Sequence, residues 1–275
     1  MNDLKKILEF TERIGRKAGD KLLVFQKKLD QLEITDKQVF GVASNADVEI
    51  EKYIIKNIKK EYPHHDILAE ECAHTNYSHH KLAEFAKKEF CWVIDPLDGT
   101  NNFLSFSDYF SVSIAFLSFG IPLVGVIYRP GTDECFSAIR DQKATLREKA
   151  NTSILKKGTN DKKLKDSMLI NSSVFTLDPQ PDQEFNRYKD LTMASRGVRR
   201  FGSAALDLCY LALGHWDGFW GRGLSPWDVA AAMLICREAN IKITDYQGVD
   251  FTPFSSSIIA ARDPFFSRFK QYFSS

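Results

Sequence analysis

The segment WVIDPLDGTNNF, residues 92–103, constrains this chain more than any other stretch. Trp92, Val93 and Ile94 form an apolar run suited to a buried strand, and Pro96, which has no N–H to give a ladder, predicts that the strand stops there. Asp95 and Asp98 then fall together at a strand's exit. Two carboxylates this close raise each other's cost of ionisation unless a cation neutralises them. Hard oxygen ligands at such spacing suit Mg²⁺ better than zinc. Gly99 and Thr100 follow at an expected helix start, where free N–H groups can cradle phosphate oxygens and glycine permits close approach. The stretch reads as metal first, phosphate next.

Further acids stand at other element ends. DILAEE, residues 66–71, reads as a short strand ending in Glu70 and Glu71. In SPWDVAAAM, residues 225–233, Ser225 is a good N-cap, Pro226 suits the first helical position, and Asp228 falls in the first turn, where the helix dipole favours an anion. VASNADVEIEKYIIKNIKKEYP predicts a helix capped near Ser44 or Asn45. FGSAALDL predicts another, with Ser203 as N-cap and the amides of Ala204 and Ala205 offered to the non-phosphate part of a substrate; Asp207 reads as structural. His64, His65, His74, His79 and His80 crowd one segment, but their spacing is irregular and loop-like, so zinc or nickel binding is not expected there. Cys91 lies in an apolar strand and reads as core.

The rest of the chain sets the frame. Lysines and arginines number 37 against 36 acids, so there is no global basic field to hold nucleic acid or an anionic membrane. Five cysteines, odd in number and without a C-x-x-C pair, argue for reduced thiols in a cytoplasmic protein. The N-terminus places Leu4, Ile7, Leu8, Ile14, Ala18 and Leu22 at helical spacing among charges, as a core-packing helix and not as a secretion signal or membrane span. Strands are expected at about 109–118, 123–129 and 134–139, paired antiparallel. The polar, lysine-rich stretch 141–165 reads as a solvated junction between two halves. Beyond it SMLINSS, LTMASRG, WDGFWG, IKITD and SIIAA are strand candidates, alternating with helices at about 183–190, 203–213 and 226–239, the pattern of an α/β half with a mixed sheet.

DPLDGTNNF, with AEE upstream and PWDVAAAM downstream, resembles the inositol monophosphatase family of Mg²⁺-dependent, lithium-sensitive phosphatases. RRFGSAALDLCYLALGHWDGFW resembles the stretch that its bacterial, SuhB-like branch carries between the two metal motifs. The likeness runs from about residue 40 to 260 in the same order and spacing. It implies the α/β class and a layered αβαβα sugar-phosphatase fold. An α+β half, residues 1–145, would carry most metal ligands, and an α/β half, 146–275, would carry Asp228 and the substrate-contacting segments. It further implies two or three Mg²⁺ ions held by Glu70, Asp95, the backbone carbonyl of Leu97, Asp98 and Asp228, with Asp95 bridging. Asp47 beside Thr100 would polarise the attacking water, with Glu70 in the same catalytic group and Glu71 supporting. Substrate contacts would come from Asp98, Gly99, Thr100, Gly202, Ser203, Ala204, Arg222 and Asp228. The implied partner is a small phosphorylated alcohol resembling an inositol monophosphate, turned over by a homodimer. Some bacterial relatives also act as binding factors in transcription complexes. Association with RNA polymerase or nucleic acid is thus a second reading, with residues 156–165 and the exposed halves of the N-terminal helix as its candidate surfaces.

The chain departs from the family pattern in three places. Gly221 stands where many members carry a glutamate that contacts sugar hydroxyls, and Arg222 after it offers a fork of donors suited to a second phosphate or a carboxylate. Substrates such as fructose 1,6-bisphosphate, histidinol phosphate or a 3′-phosphoadenosine compound therefore stand beside inositol phosphates. KATLREKANTS replaces the usual glycine-rich hairpin. Asn240 replaces a helix-ending glycine, a mild change because asparagine tolerates the left-handed conformation.

Overall fold

The computed structural model describes residues 2–36, 42–76, 79–155, 158–175 and 180–273. Helix α1 (Asn2–Gln26) buries Ile7, Phe10, Ile14, Ala18 and Leu22, the stripe its periodicity predicts. The hairpin β1 (Ile34–Asp36) and β2 (Val42–Ser44) leads into α2 (Asn45–Glu61). Ser44 starts that helix: its N–H and hydroxyl both donate to Asp47, at 2.8 and 2.7 Å, a reciprocal cap that fixes the first turn. Next come β3 (Asp66–Ala69), α3 (Glu70–Asn76) and α4 (His79–Leu82). Glu70 and Glu71, expected to end a strand, instead open α3, and His74 lies on that helix and not in a loop.

Strand β4 (Cys91–Asp98) does not stop at Pro96. It pairs antiparallel with β5 (Ser111–Ser118), Asp95 opposite Ser113 and Asp98 opposite Ser111, so one extra residue is taken up in a bulge. The bulge is what tolerates the proline, since ladder bonding is already interrupted there. Helix α5 (Thr100–Leu104) follows, and β6 (Ile121–Arg129) and β7 (Glu134–Ile139) continue the antiparallel run. The polar segment expected as a solvated loop forms β8 (Thr145–Glu148) and β9 (Asn151–Ile154), a hairpin whose turn puts Lys149 at φ +51° without any glycine. Pairing with the open edge of β7 and burial of Leu146 and Leu155 outweigh its polar composition. One seven-stranded sheet results, in the order β3-β4-β5-β6-β7-β8-β9.

The second sheet has five strands in the order β11-β10-β12-β14-β13, built from β10 (Met168–Asn171), β11 (Gly197–Arg199), β12 (Gly218–Arg222), β13 (Lys242–Thr244) and β14 (Ser257–Ala261). It is mixed, as the alternation predicts: β10 runs parallel to β11 and β12, and β14 antiparallel to β12 and β13. Between these strands lie α6 (Pro181–Ala194), α7 (Ala204–Leu213) and α8 (Pro226–Glu238), with α9 (Phe265–Phe269) at the end. LTMASRG is not a strand throughout. Leu191 to Ala194 finish α6, because Leu191 completes that helix's buried face with Glu184 and Arg187. Asn240 adopts φ +65° after α8.

Strand alternation sorts the core into layers. Trp92 and Ile94 face α1 and α2, whereas Cys91 and Val93 face α7 and α8. On the second sheet Ile170 and Phe219 face that same helix pair, and Leu169 and Trp220 face α6 and α9. The layers therefore run helix, sheet, helix, sheet, helix. Gly125 lets α8 lie directly on the first sheet, because a Cβ there would stand 2.7 Å from the Ala231 carbonyl oxygen. Among the described residues no helix is long and apolar enough to cross a membrane.

Candidate active site and metal centre

Strand parity decides where the two aspartates of WVIDPLDGT go. Asp95 shares the face of Cys91 and Val93 and so looks toward α8. Three residues on, Asp98 would look the other way, but the bulge restores the face, as its partner Ser111 shares the parity of Ser113. Ser113 marks that side by donating to the Trp227 carbonyl at the start of α8, 3.2 Å. From α8 comes Asp228, whose carboxylate accepts the Ser225 N–H at 2.7 Å in a capping box. Asp95, Asp98 and Asp228 each place a carboxylate oxygen so that all lie within 4.8 Å of one another.

The electrostatics of this cluster are those of a cation site. Burial, then the charges of Glu70, Asp98 and Asp228, push the Asp95 carboxyl well above its ordinary value. Burial pushes Asp98 up to about 6, against the Ser203 hydroxyl and the Ala205 N–H, which both donate to it. Buried anions this close resist ionisation until a cation is shared among them. Every donor is oxygen, a set that fits a hard divalent ion. Glu70, hydrogen-bonded to Asp95, extends the cluster from α3. The Leu97 carbonyl turns toward Thr100, whose hydroxyl lies 3.1 Å from it and 3.1 Å from Asp47 Oδ1. The expected pair of Asp47 and Thr100 is thus in contact, joining the start of α2 to that of α5.

Gly99 caps α5 at φ +97°, and a Cβ there would meet the Tyr109 and Gly202 carbonyls at 3.1 and 3.2 Å. Asn102 ties the same region together by donating to the carbonyls of Tyr109 and Phe201. Ser203 caps α7 and also donates to Asp98, so the first turn of α7 is engaged with that carboxylate. Asp98, Asp228, Gly202 and Ala204 line one cavity of about 610 Å³, whose wall continues to Ser172, Phe175 and Arg200. Arg222 holds its guanidinium over the Tyr246 ring, 5.6 Å from the centroid, and Asp217 pairs with Lys162 and Asn160. Of the histidines, His65 accepts the Trp92 indole N–H at 3.1 Å, and His74 sits one turn from Glu70. The side chains of His79 and His80, and residues 156–157 of the lysine-rich stretch, lie outside the described residues.

Two supporting residues escaped the sequence reading. Glu51 accepts the N–H groups of Glu71 and Cys72 at 2.7 and 2.9 Å and so anchors the turn that carries Glu70. Its spacing of four from Asp47 on one helix was the available signal. Arg200 lies inside the recognised RRFGSAALD stretch, two residues before Gly202, but nothing local tells that it lines the cavity.

The profile of the inositol monophosphatase family matches residues 3–271. The chain belongs to this family. Members are metal-dependent, and the protein is a phosphoric monoester hydrolase with the layered α/β fold. It is similar to the Nus factor SuhB of Vibrio cholerae, 36% identical over 255 residues that cover 93% of this chain and 91% of the relative. Inositol-1-monophosphatase of Synechocystis sp. is 36% identical over 246 residues, 89% of this chain and 80% of its own. The crystal structure of extragenic suppressor protein SuhB from Bartonella henselae matches with a TM-score of 0.84 at 29% identity, covering 98% of this chain and 99% of that one.

Proposed function

We propose that this phosphatase hydrolyses a small phosphorylated alcohol with two or three Mg²⁺ ions held by Glu70, Asp95, the Leu97 carbonyl, Asp98 and Asp228. What supports the reading is the convergence of Asp95, Asp98 and Asp228 from two separate elements, the first two buried and the third half-buried, with a carboxylate oxygen of each within 4.8 Å of the others, a repulsion that a shared cation would relieve. Mg²⁺ bound there supplies positive charge to the phosphoryl oxygens and lowers the pKa of the attacking water. The chain's own groups do the rest. Thr100 Oγ1, within reach of Asp47 Oδ1, orients that water and relays its proton to the carboxylate. The N–H groups at the Gly99–Thr100 turn face the phosphate, and Gly99's lack of a side chain lets it approach. Gly202, Ser203 and Ala204 border the alcohol, which departs opposite the attacking water. Five free cysteines accord with a reducing, cytoplasmic setting, and a homodimer is the assembly we assign.

Asp95→Asn tests the assignment, since it removes an anion while keeping shape. With the fold intact, kcat should fall by at least about 10²-fold, and Mg²⁺ and Li⁺ should lose their activating and inhibiting effects on the residual rate. Wild-type turnover in that variant, saturated with Mg²⁺, would sink the reading. The name borne by the Vibrio cholerae relative favours a second one, association with the transcription machinery. Capture of RNA polymerase from the native host, retained by Asp95→Asn, supports that as a separate activity; no capture by either protein removes it.

A further inference from the structure

We propose that the active-site cavity contains a second anion subsite built on Arg200, and that the preferred substrates are phosphomonoesters whose alcohol carries a further phosphate or carboxylate. This rests on the phosphatase reading above and adds to it the class of leaving group.

Arg200 lines the same cavity as Asp98 and Asp228. Its guanidinium is held in one place. Nη2 donates to the Ser173 carbonyl at 2.8 Å, and the plane lies over the Phe175 ring, 4.7 Å from its centroid. That wall is itself fixed, because Ser172 and Val174 donate their N–H groups to the carbonyls of Trp220 and Arg222 on β12, at 3.1 and 2.8 Å. Phe175 is backed by Phe185, stacked at 4.1 Å. Among the described residues the Ser173 carbonyl takes one of the five N–H donors of Arg200, which leaves others of the fork for a ligand.

What Arg200 lacks among the described residues is an anion. Several other arginines of the chain have one: Arg187 pairs with Glu184, Arg129 with Asp108 and Glu134, and Arg147 with Glu12. No carboxylate among the described residues comes within ion-pair distance of Arg200. Asp207 and Glu184 act on it only through space, and desolvation holds its pKa below the ordinary arginine value. Asp207 shares its own charge with a proton near neutrality, which weakens it further as a counter-ion. An exposed cation fixed by a carbonyl and a ring, with no carboxylate of the described residues in ion-pair reach, on the wall of a cavity that Asp98 and Asp228 also line, is suited to the second anion of a doubly charged substrate. The same charge disfavours a neutral polyol no more than any solvated surface does, so it sorts substrates by what it adds.

The test is phosphate release from two matched pairs: glycerol 2-phosphate against 2-phosphoglycerate, and fructose 1-phosphate against fructose 1,6-bisphosphate. Wild type should favour the doubly anionic member of at least one pair in kcat/KM by on the order of 10- to 100-fold, expressed mainly in KM. The pair that responds tells carboxylate from phosphate. Arg200→Gln should collapse that ratio toward one, and Arg200→Lys, which keeps charge but not the fork, should restore part of it. Release from all four without preference overturns the subsite. So does an unchanged ratio in Arg200→Gln, or an equal loss on both members, which would put Arg200 on the reacting phosphate or in the fold. If no member of either pair releases phosphate with Mg²⁺, the proposed function falls first and the subsite with it.

Discussion

Asp207 exchanges its proton close to neutral pH, and burial is the chief reason. Burial pushes its carboxyl up to about 7, although the Tyr109 and Ser172 hydroxyls donate to it at 2.8 and 2.9 Å. The folded protein therefore keeps a proton that the unfolded chain gives up near pH 4, and a raised folded pKa makes its stabilising share fullest at low pH. That share is lost as pH rises from about 4 to about 7, amounting to a few kcal/mol at about 1.4 kcal/mol per unit. Asp207→Asn removes the titration but keeps the shape. Compared by denaturant unfolding in chelator, the variant should gain on wild type steadily across that window and level off above it. Parallel stability curves from pH 4 to 8 would show that Asp207 titrates at its ordinary value. The sequence reads Asp207 as structural; its near-neutral proton is not legible there, since it comes from burial that only the packed fold creates, against the hydrogen bonds that Tyr109 and Ser172 donate.

Helix starts were the best-read elements, because their chemistry is local. Ser225, Pro226 and Asp228 announce α8, and Ser44 with Asp47 announces α2, from residues within one turn. The bulge in β4 was not legible, as it exists only against β5. The motif D-P-L-D is explained by it: with an even strand the second aspartate would need to stand two residues on, and the extra residue makes it three. The β8–β9 hairpin was missed for the same cause, its edge partner β7 being invisible to composition. Helix α3 depends on a similar remote contact, with Glu51 from α2 holding two N–H groups of its first turn. We expect Glu51→Gln, which weakens those charge-assisted bonds, to loosen Glu70 and raise the half-saturating Mg²⁺ concentration on the order of 10-fold. A variant that loses thermal stability while its Mg²⁺ curve stays put would mean that Glu51 braces the fold and not the ligand.

The acidic cluster exists only because the layers are held at a fixed spacing. Asp95 and Asp98 ride on the first sheet and Asp228 on α8, so the distance between β6 and α8 sets the distance between carboxylates. Gly125 governs that spacing, for a Cβ would lie 2.7 Å from the Ala231 carbonyl and 3.0 Å from its Cα, both backbone atoms that cannot rotate away. Gly125→Ala must push α8 off the sheet. Overpacking of this kind costs about 1–3 kcal/mol, and because Ala231 lies one turn from Asp228 the shift reaches the metal cluster. Stability and Mg²⁺ response should therefore fall together: a lower denaturant midpoint and a Mg²⁺ half-saturation raised several-fold, with Gly125→Val worse on both. A remote cavity-creating change, such as Leu169→Ala in the core between the second sheet and its outer helices, should lower the midpoint and leave the Mg²⁺ curve where it was. If the two variants move the Mg²⁺ curve equally, general loosening is responsible and the spacing between β6 and α8 does not set the cluster.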